Sequence, residues 1–275
     1  MVSMTRLLAT GYWLLTTGYL KKTNPMKTAL TLLSSLFFVS GYSQTLVEKS
    51  FPVQGAKELV ASFDHPDVNI QTWDKNEVMI KGTVSINNGE NDAAFEMQSN
   101  VSDGILMITS IIKDKDLLPH HIIIKKGDQE YVFKAKDFDD PEVQKFLDEN
   151  GHEYSYMANS LLVKIKLDLF VPKNMKTTID MKHGIVEFKT FDAPLKVMAK
   201  YGKIDATIPS TVGNLTARTK HGEILTNLDI KFDQQPYDMR KGQRNRNWTE
   251  ITAHSGKGQD YFIESTYGTV YLRKP

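Results

Sequence analysis

The sequence predicts an all-β fold: a β-solenoid or single-stranded β-helix-like domain with a charged, partly helical insertion near 113–160. Three observations predict it. A short phrase centred on Gly recurs through the second half of the chain, apolar residues fall in steps of two on both sides of that Gly, and only one stretch carries a full set of helix signals. The 275 residues are 40% hydrophobic and 24% charged, a globular composition.

The first elements are leaders rather than folded structure. Lys27 precedes the apolar run Ala29 to Val39, and Ser40-Gly41-Tyr42-Ser43 follows, which is the layout of a secretory signal peptide spanning 26–43 and cut before Gln44. The run falls short of the roughly 20 apolar residues that span a bilayer. Residues 1–25 hold a second apolar stretch, Leu7 to Leu20, broken by Gly11 and Gly18. Two consecutive leaders make little physical sense, so 1–25 reads as an upstream extension of the reading frame, with translation starting at Met26. The mature chain is expected in the periplasm, in the outer envelope or secreted, without a transmembrane segment.

The first acidic residue is Glu48, whereas Arg6, Lys21, Lys22 and Lys27 precede it. Removing 1–43 leaves 30 basic and 33 acidic residues, so a formal charge of +1 becomes −3. Such a body lacks the concentrated positive charge that a nucleic-acid groove or a membrane-binding face needs, and no nucleic-acid partner is expected. The complete absence of Cys excludes thiol catalysis, disulfide staples, Cys-ligated zinc, iron–sulfur clusters and a lipidated N-terminal Cys.

From 44 to 275 the chain reads as a single elongated β-solenoid domain, with two sandwich domains as the alternative. Leu59, Ala61 and Phe63 precede Pro66, and Val68, Ile70 and Thr72 follow it; Gly104, followed by Leu106 and Ile108, reads as another faint copy. Between 113 and 160 the pattern breaks. Asp139 or Asp140 as N-cap, Pro141 in the first turn, Glu142, apolar Val143, Phe146 and Leu147, and Gly151 as a stop predict a helix there, beside the apolar run Ile122 to Ile124. Alternation resumes through Leu161, Val163, Ile165, Leu167 and Leu169 and stops at Val171-Pro172.

The phrase itself appears as Lys182-His183-Gly184-Ile185-Val186, Lys200-Tyr201-Gly202-Lys203-Ile204, Lys220-His221-Gly222-Glu223-Ile224 and Thr266-Tyr267-Gly268-Thr269-Val270. Aligned on Gly, the inward positions are Ile179, Val197, Ala217 and Ile263 five before, and Met181, Ala199, Thr219 and Ser265 three before. They continue with Val186, Ile204, Ile224 and Val270 two after, and Phe188, Ala206, Thr226 and Leu272 four after. That is strand, tight turn, strand, with Gly supplying a positive φ at the turn. The longer gap from Gly222 to Gly268 leaves room for an irregular coil around Ile251, Ala253 and Gly256.

The signal peptide, the repeated Gly-x-Val/Ile phrase and the lead-in from Leu169-Phe170-Val171-Pro172 to Ile179 together resemble the bacterial "putative adhesin" family of exported β-solenoid proteins. The resemblance covers mainly 55–112 and 160–275. It implies a secreted or envelope-associated β-helix-like protein of unassigned function, and it carries over no catalytic residues. The insertion at 113–160 departs from the family pattern.

The residue before each Gly is His183, Tyr201, His221 or Tyr267, so stacked coils place these rings in a ladder along one edge. Such a ladder is either a row for stacking on sugar rings or a structural device of the turn. With one rung between them, His183 and His221 sit roughly 9–10 Å apart, too far for joint zinc binding, and no metal is expected. Lys182, Lys200 and Lys220 form a basic column suited to anionic glycans or phosphates, or a solvated face that discourages edge pairing. Arg240, Lys241, Arg244 and Arg246 lie in a polar stretch ending at Trp248, whose basic and aromatic composition suits an acidic polymer, although a crossing loop between coils explains it as well. Asp137, Asp139, Asp140 and Glu142 lack the order of a calcium loop, and His120-His121 is a surface-like pair. Asp180, Asp205 and Glu223 fall at different offsets from the glycines, and no nucleophile elbow, P-loop or His-Glu-x-x-His occurs. The expected function is therefore non-enzymatic and without cofactors, an adhesin-like or structural envelope protein with a glycan, envelope-polymer or protein partner. The alternatives are a carbohydrate-active enzyme on a β-helix and an accessory protein of an envelope signalling system.

Overall fold

In the computed structural model, which describes residues 44–233 and 248–275, the glycine register correctly assigns the buried positions. Ala61, Phe63, Val68 and Ile70 are buried, as are Ile179, Met181, Val186 and Phe188, then Val197, Ala199, Ile204 and Ala206, and finally Ile263, Ser265, Val270 and Leu272. The last repeat is looser, with Ala217 and Thr219 buried but Ile224 half-buried and Thr226 exposed. The segments 1–25 and 26–43, expected to be an upstream extension and a signal peptide, lie outside the described residues.

The first nine strands are β1 (Thr45–Pro52), β2 (Glu58–Phe63), β3 (Asp67–Trp73), β4 (Glu77–Ile86), β5 (Phe95–Ser102), β6 (Ile105–Ile112), β7 (His121–Lys126), β8 (Gln129–Phe133) and β9 (Tyr156–Ser160). The helix α1 (Pro141–Asn150) falls between β8 and β9. The remaining strands are β10 (Val163–Pro172), β11 (Lys176–Phe188), β12 (Leu195–Thr207), β13 (Asn214–Thr219), β14 (Ile224–Thr226), β15 (Phe232–Asp233), β16 (Thr249–His254), β17 (Tyr261–Ser265) and β18 (Val270–Arg273).

Fifteen of these strands form one mixed sheet, and the described residues are mostly β, with α1 as their one α-helix. Its centre is a set of five parallel rungs, each bent at the repeat turn into two limbs. The first limb of β11 pairs with β2 on one side and β12 on the other, and its second limb meets β3 and β12. β12 then pairs with β17 and β18, which pair in turn with β13 and β14. In space the rungs therefore run 58–73, 176–188, 195–207, 261–273 and 214–226. The segment made last sits between two made earlier.

On the 58–73 side the parallel pairing continues through β6, beside β2, and β10, beside β3, and antiparallel strands follow at both ends. β4 joins β10 to β1, β5 pairs with β6, and β16 joins β13 to β15. Two expectations fail here for the same reason. Gly104 is no coil turn: with Asp103 it has positive φ, and two consecutive left-handed residues reverse the chain into the β5–β6 hairpin. Ile251 and Ala253 belong to β16, antiparallel to β13, rather than to an irregular coil.

The insertion is more β-rich than its sequence implied. β7, β8 and β9 form a separate antiparallel sheet, and the buried Ile122 and Ile124 of β7 pack with Ala135, Val143 and Leu147 in a small core of their own. The helix signals are accurate. The Asp140 side chain accepts from the Glu142 N–H at 2.9 Å, and Gly151, with φ +80°, ends α1. No helix among the described residues is long and apolar enough to cross a membrane.

Candidate functional site: the corner ladder and the outer face

The corner where each rung bends depends on what glycine lacks. A Cβ on Gly184 would collide with the Pro66 carbonyl oxygen, one on Gly202 with that of Gly184, one on Gly268 with that of Gly202, and one on Gly222 with that of Gly268. Of these four glycines only Gly184 has a positive φ, 109°. The reason expected from the sequence thus applies to Gly184 alone, and at the other three positions glycine is required by close approach of the next turn. Pro66 carries a side chain in the same slot because, among the described residues, no glycine turn stacks beyond it. Backbone bonds continue through the corner: the N–H groups of His183, Tyr267 and His221 donate to the carbonyls of Asp64, Lys200 and Thr266 at 2.8, 2.9 and 2.8 Å. Inside it, the buried Ser265 and Thr219 hydroxyls donate to the Gly202 and Gly268 carbonyls at 3.0 Å each.

These bonds hold a five-membered ring ladder in the order His65, His183, Tyr201, Tyr267, His221. Successive ring centroids lie 5.3, 5.2, 5.1 and 4.8 Å apart, and the last three pairs are within 15° of parallel. The four rings singled out in the sequence are brought together, but two rungs rather than one separate His183 from His221. His65 is an additional member, legible in retrospect as the residue before Pro66 in the glycine slot. Because the rings face one another, what they turn outward is mainly edge, including the half-exposed Tyr201 and Tyr267. Burial pushes the His65 and His183 imidazoles below their usual pKa. Asp64 opposes the shift, while Lys115 and Lys182 reinforce it at both rings and Lys200 also does so at His183.

The lysine column is discontinuous. Since 261–273 lies between 195–207 and 214–226, Thr266 separates Lys200 from Lys220. The Lys182 Nζ sits 3.3 Å from Asp64 Oδ1, and the Lys200 Nζ lies 5.1 Å from the Tyr201 ring centre.

A different array occupies the outer face of the first limbs. Lys196 lies 5.4 Å from the Phe262 ring centre, and the Arg218 guanidinium lies 5.0 Å from Phe262 and 4.8 Å from Trp248. Cation and ring thus alternate from Lys196 to Trp248. Arg218 also donates through Nε to Glu264 Oε2 at 2.6 Å and approaches Glu250 at 3.7 Å. Of the basic stretch before Trp248, Arg240, Lys241, Arg244 and Arg246 lie outside the described residues. Lys196, Phe262 and Arg218 escape sequence reasoning because they come from three different repeats, and only the spatial order of the rungs makes them neighbours.

Beside this array is a groove of about 390 Å³. Thr178, Lys196, Phe262 and Thr216 cross it as register partners on β11, β12, β17 and β13. Lys176, Pro194, Asp260 and Asn214 line its other side. Asn214 donates through its N–H and its amide to Asp260 Oδ1 at 2.8 and 2.9 Å, and Lys176 pairs with Glu58 at 3.0 Å.

A second groove, of about 340 Å³, lies on the outer face of the other limbs and contains Asp67, Asp168 and Glu187. Asp67 accepts the Ile185 N–H and Asp168 the Asn69 amide, both at 2.9 Å. Asp180, Asp205 and Glu223 line neither groove, and Asp205 is held by Arg273 through two bonds of 2.6 and 2.7 Å. His121 proves to be buried, with its pKa lowered by that burial, so it is not the surface residue it resembled. Asp137 accepts the Asp139 N–H at 3.1 Å and Asp140 caps α1. Among the described residues no three His, Asp or Glu side chains converge as metal ligands.

No protein-family model and no curated protein matches the chain. Two solved structures are similar to it. A "putative cell adhesion protein" from Clostridium sporogenes ATCC 15579 shares 10% identity at a TM-score of 0.45, covering 85% of this chain and 100% of that one. A "putative adhesin" from Bacteroides fragilis NCTC 9343 shares 11% identity at a TM-score of 0.21, covering 85% and 98%.

Proposed function

We propose that the mature chain is an exported, non-enzymatic β-solenoid that serves as an adhesin-like or structural protein of the cell envelope, offering an extended outer face to a glycan, an envelope polymer or another protein. One observation carries this reading. Five rungs stack in register, so outward side chains repeat at about 4.8 Å per rung along both limbs, a spacing suited to extended polymers rather than to enclosed substrates. Export rests on the leader at 26–43. Binding rather than catalysis is favoured because Asp67, Asp168, Asp205 and Asp260 are each engaged by a structural donor.

A glycan array probed with residues 44–275, together with capture of envelope polymer from solution, tests the reading. Specific retention of a polymer without chain shortening is the expected result. Cleavage of the retained polymer would overturn the non-enzymatic reading, and absence of any retention would overturn the binding one. A Lys182→Ala, Lys200→Ala, Lys220→Ala variant is expected to bind as well as wild type, because its column is interrupted at Thr266 and tied down at Asp64.

A further inference from the structure

We infer that the insertion at 113–160 is an appendage released by acid. At neutral pH its base is held on the main sheet by Asn87 and by a buried, neutral His121, and protonation of His121 frees it while its own core and the rungs stay folded.

β7, β8, β9 and α1 share a small core of their own, and they are fixed to the main sheet at the base where the chain enters and leaves. One side chain gathers both passages. Asn87, 2% exposed, donates its amide to the Pro119 carbonyl on the way in at 2.8 Å, and its side-chain oxygen accepts the Leu162 N–H on the way out at 3.1 Å. Its own N–H donates to the Leu162 carbonyl at 2.8 Å. It does so from a left-handed backbone, φ +51°, which Asn tolerates better than most residues. The next pair outward is His121 and Ser160, register partners at the first residue of β7 and the last of β9. On the rim, Lys134 after β8 bonds Glu90 in the β4–β5 loop at 2.9 Å, an exposed pair of the kind that contributes little.

His121 is the weak point of this base. It is 4% exposed, and its Nδ1 has no hydrogen-bond partner among the described residues. A neutral ring leaves that nitrogen as an unused acceptor. A protonated ring makes both nitrogens donors and adds a charge in a buried place, which costs far more. Burial holds the imidazole below its usual pKa, and the neighbours do not compensate: Lys134 and His120 add to the shift, while Glu90, which opposes it, is committed to Lys134. Asp92, buried in the same β4–β5 loop, is occupied by the Ile86 and Thr45 N–H groups at 2.6 and 3.2 Å. Release lets water reach the ring and returns it to the ordinary pKa of about 6.5, so each proton taken up favours the released form. The base is therefore firm above about pH 6.5 and weakens as pH falls below it.

The test is amide exchange of residues 44–275, read as protection factors at pH 7.5 and pH 5.0 so that the pH dependence of intrinsic exchange is removed. One imidazole of ordinary pKa, kept wholly neutral while the base is held, sets a ceiling of about thirtyfold on the change. Protection of the Asn87 and Leu162 amides is expected to fall by between about fivefold and about thirtyfold. The interiors of α1 and β12 are expected to remain at least tenfold better protected than the base at pH 5.0. His121→Leu is expected to abolish the fall and His120→Gln to keep it. Proton NMR of the wild type is expected to show His121 titrating below pH 6.5, over the range in which Leu162 loses protection. Equal loss at the base, α1 and β12 identifies global unfolding and overturns the inference. An unchanged base at pH 5.0, a fall that survives His121→Leu, or titration of His121 at or above pH 6.5 also overturns it. Should His121→Leu fail to fold, the wild-type titration decides alone.

Discussion

Gly268→Ala is expected to be among the most damaging one-carbon additions in the protein, although it leaves backbone φ/ψ unstrained. The added Cβ would lie under 3.0 Å from the Gly202 carbonyl oxygen and 2.9 Å from the Ser265 hydroxyl, whereas ordinary contact begins at 3.4 Å. The neighbouring turn must retreat by more than 0.4 Å, and the obstacle is backbone, which has no rotamer to escape into. The seam that must open carries the Tyr267 N–H to Lys200 carbonyl bond of 2.9 Å, the Ser265 to Gly202 bond of 3.0 Å and the Tyr201–Tyr267 ring stack of 5.1 Å. Two hydrogen bonds at about 1 kcal/mol each and a ring pair at about 1 kcal/mol give a loss of about 3 kcal/mol. That matches the upper part of the range for overpacked interiors, about 1–3 kcal/mol. Urea unfolding followed by circular dichroism measures it, with a midpoint fall of about 1.5 M at a slope of about 2 kcal/mol/M. Gly104→Ala is the comparison. Nothing lies within 4 Å of a Cβ there, but φ is +75°, so only backbone strain of about 1–2 kcal/mol is expected. A loss below about 1 kcal/mol for Gly268→Ala, or one smaller than for Gly104→Ala, would refute the close-approach account.

Other expectations follow from single contacts. The buried Tyr261 hydroxyl donates to the Phe191 carbonyl at 2.5 Å, and Tyr261→Phe is expected to cost about 1–2 kcal/mol in the same assay by leaving that carbonyl unpaired. Burial pushes the Tyr261 phenol up to about 12, against 10 in the unfolded chain. Stability from this group is therefore complete below pH 10 and lost as pH rises toward 12, on the order of 2–3 kcal/mol, and ultraviolet titration should show one tyrosine ionising late. His65, His121 and His183 are shifted the other way, so the unfolded chain takes up protons first. Stability should be greatest above about pH 6.5 and decline as pH falls below it, and His183→Tyr, which preserves the stack, should flatten that decline in denaturation midpoints at pH 7.5 and 5.5. Asp140→Ala should cost about 1 kcal/mol locally, read as faster amide exchange in α1 without change in β11 or β12, because the insertion has its own core.

Much of the architecture was written in periods of two. Val186, Ile204 and Val270 announced their burial by their distance from a glycine, and Asp140, Pro141 and Gly151 announced α1 by local chemistry that needs no partner. What the sequence could not announce was who lies beside whom. Gly222 follows Gly202 in the chain, so Lys220 and His221 were expected next to Lys200 and Tyr201. The structure inserts Thr266 and Tyr267 there, which breaks the lysine column and brings Phe262 between Lys196 and Arg218. Strand order is decided by loops long enough to reach either edge, and neither register nor propensity encodes it. The role of the glycines was also half-legible: the turn was evident, but close approach is a relation between rungs, visible only once they are stacked.

The insertion of 261–273 between 195–207 and 214–226 sets a timing problem for a chain that is made from its start. When 214–226 emerges, its proper neighbour has yet to be synthesised. The edges of β12 and β13 are then both exposed and carry the same register, so a premature pairing that places His221 directly on Tyr201 satisfies the local rules while closing the slot. Reaching the final arrangement from there requires a seam of parallel bonds to reopen, a slow, long-range step that leaves bare strand edges in the meantime. The same repetition that lets outward side chains recur at each rung thus makes the order of arrival a determinant of whether the column forms at all.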